Sequence, residues 1–226
     1  MPPNFGVMPD LVDAMLETIE IAFAGTVLGF LASLPLAFHG TRTMFGPLIS
    51  IPARLLIGAI RTVPSLLWGV VFVVAYGLGP EAGALGVACY TVGYLGKLYY
   101  EAFEAVDSEV LEAVRSTGGN RAQVIAYAVL PESTIALVSQ LFFMFEYNIR
   151  ASAIMGFVGA GGIGFYILGY LQLLQYQNLM SALVLTFAVV MLVDYLSARL
   201  RSMVVPSVQG AQPSRSHLLA ALTGLR

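Results

Sequence analysis

The chain has 226 residues, of which 58% are hydrophobic and only 11% charged, with a formal net charge of −2 and a mean hydropathy of +0.82. A soluble domain carries about 25% charged residues, so this composition excludes a water-exposed globular surface. It also lacks the basic runs that a nucleic-acid partner would need. The apolar runs are continuous rather than alternating, which points to an α-helical membrane protein and not to a β-barrel.

Residues 1–16 hold Asp10 and Asp13 but no Lys or Arg. That is the wrong charge for a secretory signal, so the first apolar segment is expected to stay in the mature protein. A spanning helix needs about 20 mainly apolar residues, and the first candidate covers 18–38. Within it Gly25, Gly29 and Ser33 share one face at four-residue spacing, which permits close approach of another helix, inside one subunit or across a dimer seam. A polar loop at 39–50 follows.

The second candidate span, 52–78, is interrupted by Arg61-Thr62-Val63-Pro64. Pro64 lacks a backbone donor and its ring clashes with the carbonyl of Ile60, which predicts a kink. Arg61 lies roughly 13 Å from the start of this helix at 1.5 Å per residue. It has two readings: snorkelling to the interface, or fastening the kink at Pro64 as part of a gate. After a short turn at 79–81, the third span covers 82–102 and contains Cys89. A lone cysteine in an apolar segment excludes an intramolecular disulfide and reads as a small core residue.

A polar segment at 107–131 then breaks the apolar chain. Asp107 or Ser108 supplies an N-cap. A short helix, a Gly-Gly-Asn turn and a second short helix ending at Pro131 are expected. The fourth span, 132–157, contains Glu146 and Arg150 in the favourable order for an i, i+4 ion pair. Counting about 27 Å from residue 132 puts the pair near the external face. Ionisable residues at membrane depth are functional candidates, so the pair is either a structural salt bridge or a positive charge offered by Arg150 to an entering anion. The glycine-rich passage 156–165 includes Gly159, Gly161 and Gly162. It reads as flexible or closely packed backbone, or as irregular backbone lining a cavity. The fifth span covers 175–198, with Asp194 near its end. The tail 202–226 is polar, with a short amphipathic piece at 217–225.

Five spans place the termini on opposite sides. If the 39–50 loop, the central segment and the tail share one side, that side collects Arg42, Arg54, Lys97, Arg115, Arg121, Arg199, Arg201, Arg215 and Arg226. Only Arg61 and Arg150 lie deeper. The positive-inside rule then puts the N-terminus outside and the C-terminus and the 107–131 segment in the cytoplasm. No zinc-spaced His or Cys set, nucleophile elbow or phosphate-binding Lys motif is present. An enzyme and a self-contained ATPase are therefore not expected.

The central segment resembles the cytoplasmic loop of bacterial ABC importer permeases. That loop has the form Glu-Ala-Ala, three residues, Gly, nine residues, Ile, one residue, Leu-Pro. Glu112, Ala113, Gly118, Leu130 and Pro131 fall at matching positions, while Val114 and Ala128 replace the second alanine and the isoleucine. Arg61 to Pro64, Gly96 to Tyr99, Phe145 to Arg150 and Gly156 to Phe165 look like the phosphonate-importer branch. The resemblance covers roughly 16–201. It implies an all-α, five-helix, methionine-permease-like core working as a dimer, a homodimer in the first instance, in a bacterial inner membrane. The chain would bind no cofactor itself. ATP and Mg would sit on two partner ATPase subunits, and an extracytoplasmic binding protein would deliver phosphonate, phosphite, hypophosphite or another small solute. Glu112, Ala113, Gly118, Gly119, Leu130 and Pro131 would couple to the ATPase, while Arg61, Pro64, Glu146, Arg150, Gly159, Gly161 and Gly162 would line or gate the pathway. A channel or ion-coupled carrier would leave the 112–131 pattern unexplained.

Overall fold

The computed structural model describes residues 3–204. Most of the 202–226 tail, including the piece expected at 217–225, lies outside the described residues. Among those residues the regular structure is helical.

The first long helix, α1, runs over Met8–Gly40, so His39 belongs to its last turn and the following loop shrinks to 41–45. Helix α2 covers Gly46–Thr62 and α3 covers Ser65–Tyr76. The axes of these two helices meet at 86°. Pro64 therefore breaks the second expected span at a right angle, which is more than the kink the sequence suggests. The carbonyl of Ile60, left without its helical donor, accepts a hydrogen bond from Trp68 Nε1 at 3.2 Å. The chain's single tryptophan, and not Arg61, fastens the corner.

Helix α4, Pro80–Glu104, is the centre of the bundle and packs against α1, α2, α3 and an outer helix, α7, Leu130–Met155. Glycine makes these approaches possible. A β-carbon on Gly25 or Gly29 of α1 would stand 2.5 Å from Val87 or Thr91 of α4. The stripe noticed in the sequence is thus a seam within one subunit. On α4 itself, a β-carbon at Gly86 would come within 2.8 Å of the Gly69 nitrogen in α3, and one at Gly93 within 2.9 Å of the Arg61 nitrogen in α2. Helix α4 is enclosed by protein, which explains its small and polar residues. By length and composition three helices suit a bilayer on their own, Phe5–Gly40, Arg121–Val158 and Tyr176–Met203, or four if the bent pair counts as one span. α4 is outside this set because its neighbours, not its own side chains, would face lipid.

The polar segment forms α5, Ser108–Ser116, and α6, Arg121–Val124. The second short helix does not end at Pro131. A π turn at Ile125–Val129 joins α6 directly to α7, giving one helix over Arg121–Val158. The wider turn resets the hydrogen-bond register, and Pro131 then occupies the first turn of α7, where its missing N–H is tolerated. Beyond α7 the chain makes a 3₁₀ turn at Gly156–Val158 and a short apolar helix, α8, Ile163–Gln172. It closes with α9, Tyr176–Val204. Helix α8 was not foreseen. Its first amide, Ile163 N, donates to Thr18 Oγ1 of α1 at 2.8 Å, a cap 145 residues away that no local pattern reveals.

Gly25→Leu would push a branched side chain into Val87 and the Ala84 carbonyl. Overpacking of this kind costs about 1–3 kcal/mol, so the purified subunit should melt at a lower temperature and accumulate to lower yield in membranes. An unchanged melting temperature would show that the α1–α4 seam is not tight.

Candidate functional site

Among the described residues the α5–α6 segment is the outstanding polar feature, and each of its turns has a local cause. Asp107 Oδ1 accepts from Glu109 N at 3.0 Å and caps α5. At the other end the Gly118 N–H donates to Arg115 O at 3.0 Å and the Gly119 N–H to Val114 O at 3.3 Å. This Schellman pair closes the helix. It needs Gly118 at φ +83°, where a side chain would strain the backbone. Gly119 is held for a different reason, since a β-carbon there would lie 2.8 Å from Val114 O. Asn120 and Gln123 then form a reciprocal capping box that starts α6.

The segment is anchored on one face and open on the other. Leu111 is buried in a cluster with Tyr99 and Phe103 of α4, Val106, and Val124, Val129 and Leu137 of the α6–α7 helix. Phe103 in turn stacks on Phe38 of α1 at 4.6 Å. Glu112, Ala113 and Gly118 are exposed, as is Pro131, while Leu130 and Gly119 are half-buried. Between the segment and the 41–45 loop lies a cavity of about 540 Å³, lined by Thr43, Met44, Arg115, Gly119, Asn120, Arg121 and Val124. Arg42 N donates to Glu104 Oε1 at 2.7 Å, and Arg54 pairs with the same carboxylate. Arg42 and Arg54 thus meet at the Glu104 end of α4, with Arg115 and Arg121 across the cavity.

The Glu146–Arg150 pair exists, at 2.9 Å, but it is half of a larger arrangement. Arg150 also meets Asp194 of α9 at 2.6 Å, and Arg201 lies 3.6 Å from Glu146. Two cations and two carboxylates alternate between α7 and α9. The pair is also not near an end of the bundle. Its neighbour Asn148 donates to Thr91, close to mid-length of α4, and Arg201 comes from a stretch the charge count put on the opposite side from the external face. The count along one helix misplaced the pair; the partners of Asn148, Thr26 on α1 and Thr91 on α4, set its level.

Arg61 is placed differently. Its backbone is pressed on Gly93, and its guanidinium carbon stands 5.7 Å above the Tyr94 ring. The glycine-rich passage is packed backbone. A β-carbon on Gly162 would lie 2.5 Å from Thr18 Oγ1, and one on Gly161 2.7 Å from Glu17 Oε1. Gly79 N donates to Gly159 O at 3.0 Å, tying the α3–α4 turn to the same passage. These three glycines hold the end of the bundle where α1, α4 and α8 meet.

Sequence reasoning missed Asn148 as a structural residue. Fully buried, it donates from Nδ2 to Thr26 Oγ1 at 2.8 Å and to Thr91 Oγ1 at 2.9 Å, binding α7 to α1 and α4 together. A buried amide in an apolar run is the one signal that could have marked it.

Comparison with a solved structure shows that this fold occurs elsewhere. A structure described as an inward-facing conformation of the MetNI methionine ABC transporter superposes with a TM-score of 0.74 at 24% identity, covering 89% of this chain and 99% of that one. A family model described as "binding-protein-dependent transport system inner membrane component" matches residues 10–210. The chain belongs to that family. The phosphite transport system permease protein PtxC of Stutzerimonas stutzeri is 41% identical over 89% of this chain and 74% of its own length. The phosphate-import permease protein PhnE of Mycolicibacterium smegmatis is 37% identical over 91% of this chain, which spans only 39% of that longer protein.

Two substitutions test the interior. Asn148→Ala removes a buried double hydrogen bond and should lower subunit stability by about 1–3 kcal/mol, read as a drop in melting temperature. Arg150→Ala leaves Asp194 and Glu146 facing each other without their shared cation. Less assembled protein, with normal transport per assembled complex, is the expected result, and full assembly with no transport would restore Arg150 to the pathway.

Proposed function

We propose that this chain is the permease subunit of an ATP-driven importer that carries phosphite, phosphonate or a related small phosphorus oxyanion into the cytoplasm by alternating access. The substrate class is supported by the names of the relatives. The coupling role rests on one observation above the rest: α5 presents Glu112 and Ala113 outward while Leu111 roots it in the bundle.

A helix capped at both ends, closed by a glycine turn and fixed by a buried side chain transmits force rather than absorbing it. Displacement of α5 would move the Phe103 end of α4 through the shared cluster. It would also move α7 through α6, because the helix is continuous from Arg121. ATP and Mg belong to a pair of cytoplasmic ATPase subunits seated on the exposed α5 face. A binding protein outside the membrane would load the substrate, and a second copy of this chain would complete the pathway. In this arrangement the α5–α6 segment lies in the cytoplasm of a bacterium, and the N-terminus lies outside the inner membrane, in keeping with the basic residues around the Glu104 end of α4.

Glu112→Lys should leave membrane insertion and subunit yield intact while ATP-dependent uptake falls at least about tenfold, the loss expected when a charged contact at a helix-in-groove interface is reversed. Gly118→Asp, which also strains the turn at φ +83°, should lower uptake at a somewhat reduced yield. Uptake at the normal rate in both variants would sink the coupling role.

A further inference from the structure

Each of the two arginines at mid-level of the bundle could meet an anion, but only one is electrostatically free to do so. Arg150 sits between Asp194 and Glu146, and Arg201 completes a set whose formal charges cancel. A ligand anion there would compete with two carboxylates already in place. Arg54, on the same helix as Arg61, is likewise committed to Glu104 and stacked on Tyr100. Among the described residues Arg61 takes part in no ion pair and no side-chain hydrogen bond. One face of its guanidinium rests on Tyr94, which leaves the N–H edge free.

The surroundings of Arg61 are donors rather than acids. Tyr90 stacks on Tyr147 of α7 at 5.5 Å and lies 6.0 Å from Tyr94. Arg61 and Tyr147 are exposed on this face, with Tyr90 and Tyr94 half-buried beside them. The group lies about 20 Å from the Pro80 end of α4 and about 17 Å from the Glu104 end, by helical rise from Gly93. Any slab of about 30 Å laid across α4 covers that level. An unpaired guanidinium turned toward hydrocarbon there is costly, so such residues face a water-filled cavity or another protein surface.

We propose that Arg61, with the hydroxyls of Tyr90, Tyr94 and Tyr147, is the point in the bundle where the transported oxyanion is held as it crosses. The assignment rests on the reading of the chain as an oxyanion permease. A planar guanidinium matches two oxygens of a phosphorus oxyanion, and phenol hydroxyls donate to the remaining oxygens without bringing a competing negative charge. The contact of the Arg61 backbone with Gly93 fixes the charge beside the tyrosines of α4.

The test is uptake of labelled phosphite by the full complex, permease with its ATPase and binding protein, in liposomes. Losing a charge-assisted contact should reduce uptake about tenfold or more in Arg61→Gln, and losing one hydroxyl about two- to tenfold in Tyr90→Phe or Tyr147→Phe. Arg61→Lys, which keeps the charge but not the fork, should fall between wild type and Arg61→Gln. Phosphite uptake at the wild-type rate in Arg61→Gln overturns the site. If that variant does not assemble, wild-type uptake by both tyrosine variants overturns it instead. A wild-type complex that takes up neither phosphite nor methylphosphonate with ATP overturns the substrate reading, which is a separate failure.

Discussion

Backbone-to-backbone contact along α4 is the constraint on which the rest of the bundle depends. Glycines on α1 meet one side of α4, and glycines on α4 meet the backbones of α2 and α3 on another. Where apolar burial cannot drive helices together, because lipid is as apolar as leucine, close packing and buried hydrogen bonds must do so. Asn148 supplies the hydrogen-bonded part. It joins three helices at one level, and both threonine partners are buried with it.

This tight centre also anchors the polar segment. A loop hung from loosely packed helices would move alone. Here the buried face of α5 is continuous with the Tyr99–Phe103 end of α4 and with the first turns of the α6–α7 helix. The π turn at Ile125–Val129 keeps that helix unbroken through Pro131, so the segment and the spans form one joined body. The right-angle corner at Pro64 is the contrasting feature, closed by Trp68 on the Ile60 carbonyl.

Charge within the bundle is divided just as sharply. The α7–α9 contact gathers opposite charges until they cancel, which makes it a fastening. The α2–α4 contact leaves one guanidinium among tyrosines. At comparable levels along the bundle, the two contacts differ in whether carboxylates stand beside the guanidinium.

Composition alone determined that this is a helical membrane protein, because 11% charged residues cannot cover a water-exposed surface. Local spacing determined the cap at Asp107 and the turn at Gly118, since caps and turns are made within a few residues. The Gly25–Gly29 stripe was equally legible, though not the helix it would meet. Tertiary structure decided what depends on distant partners. Thr18 capping α8, Asp194 and Arg201 closing the Glu146–Arg150 pair, and Asn148 bridging two threonines all join residues far apart in the chain. The charge of Arg61 and that of Arg150 look alike in a sequence. Only the fold shows which of them has been neutralised, because ion pairing depends on what lies within a few ångströms and a sequence records no such distances.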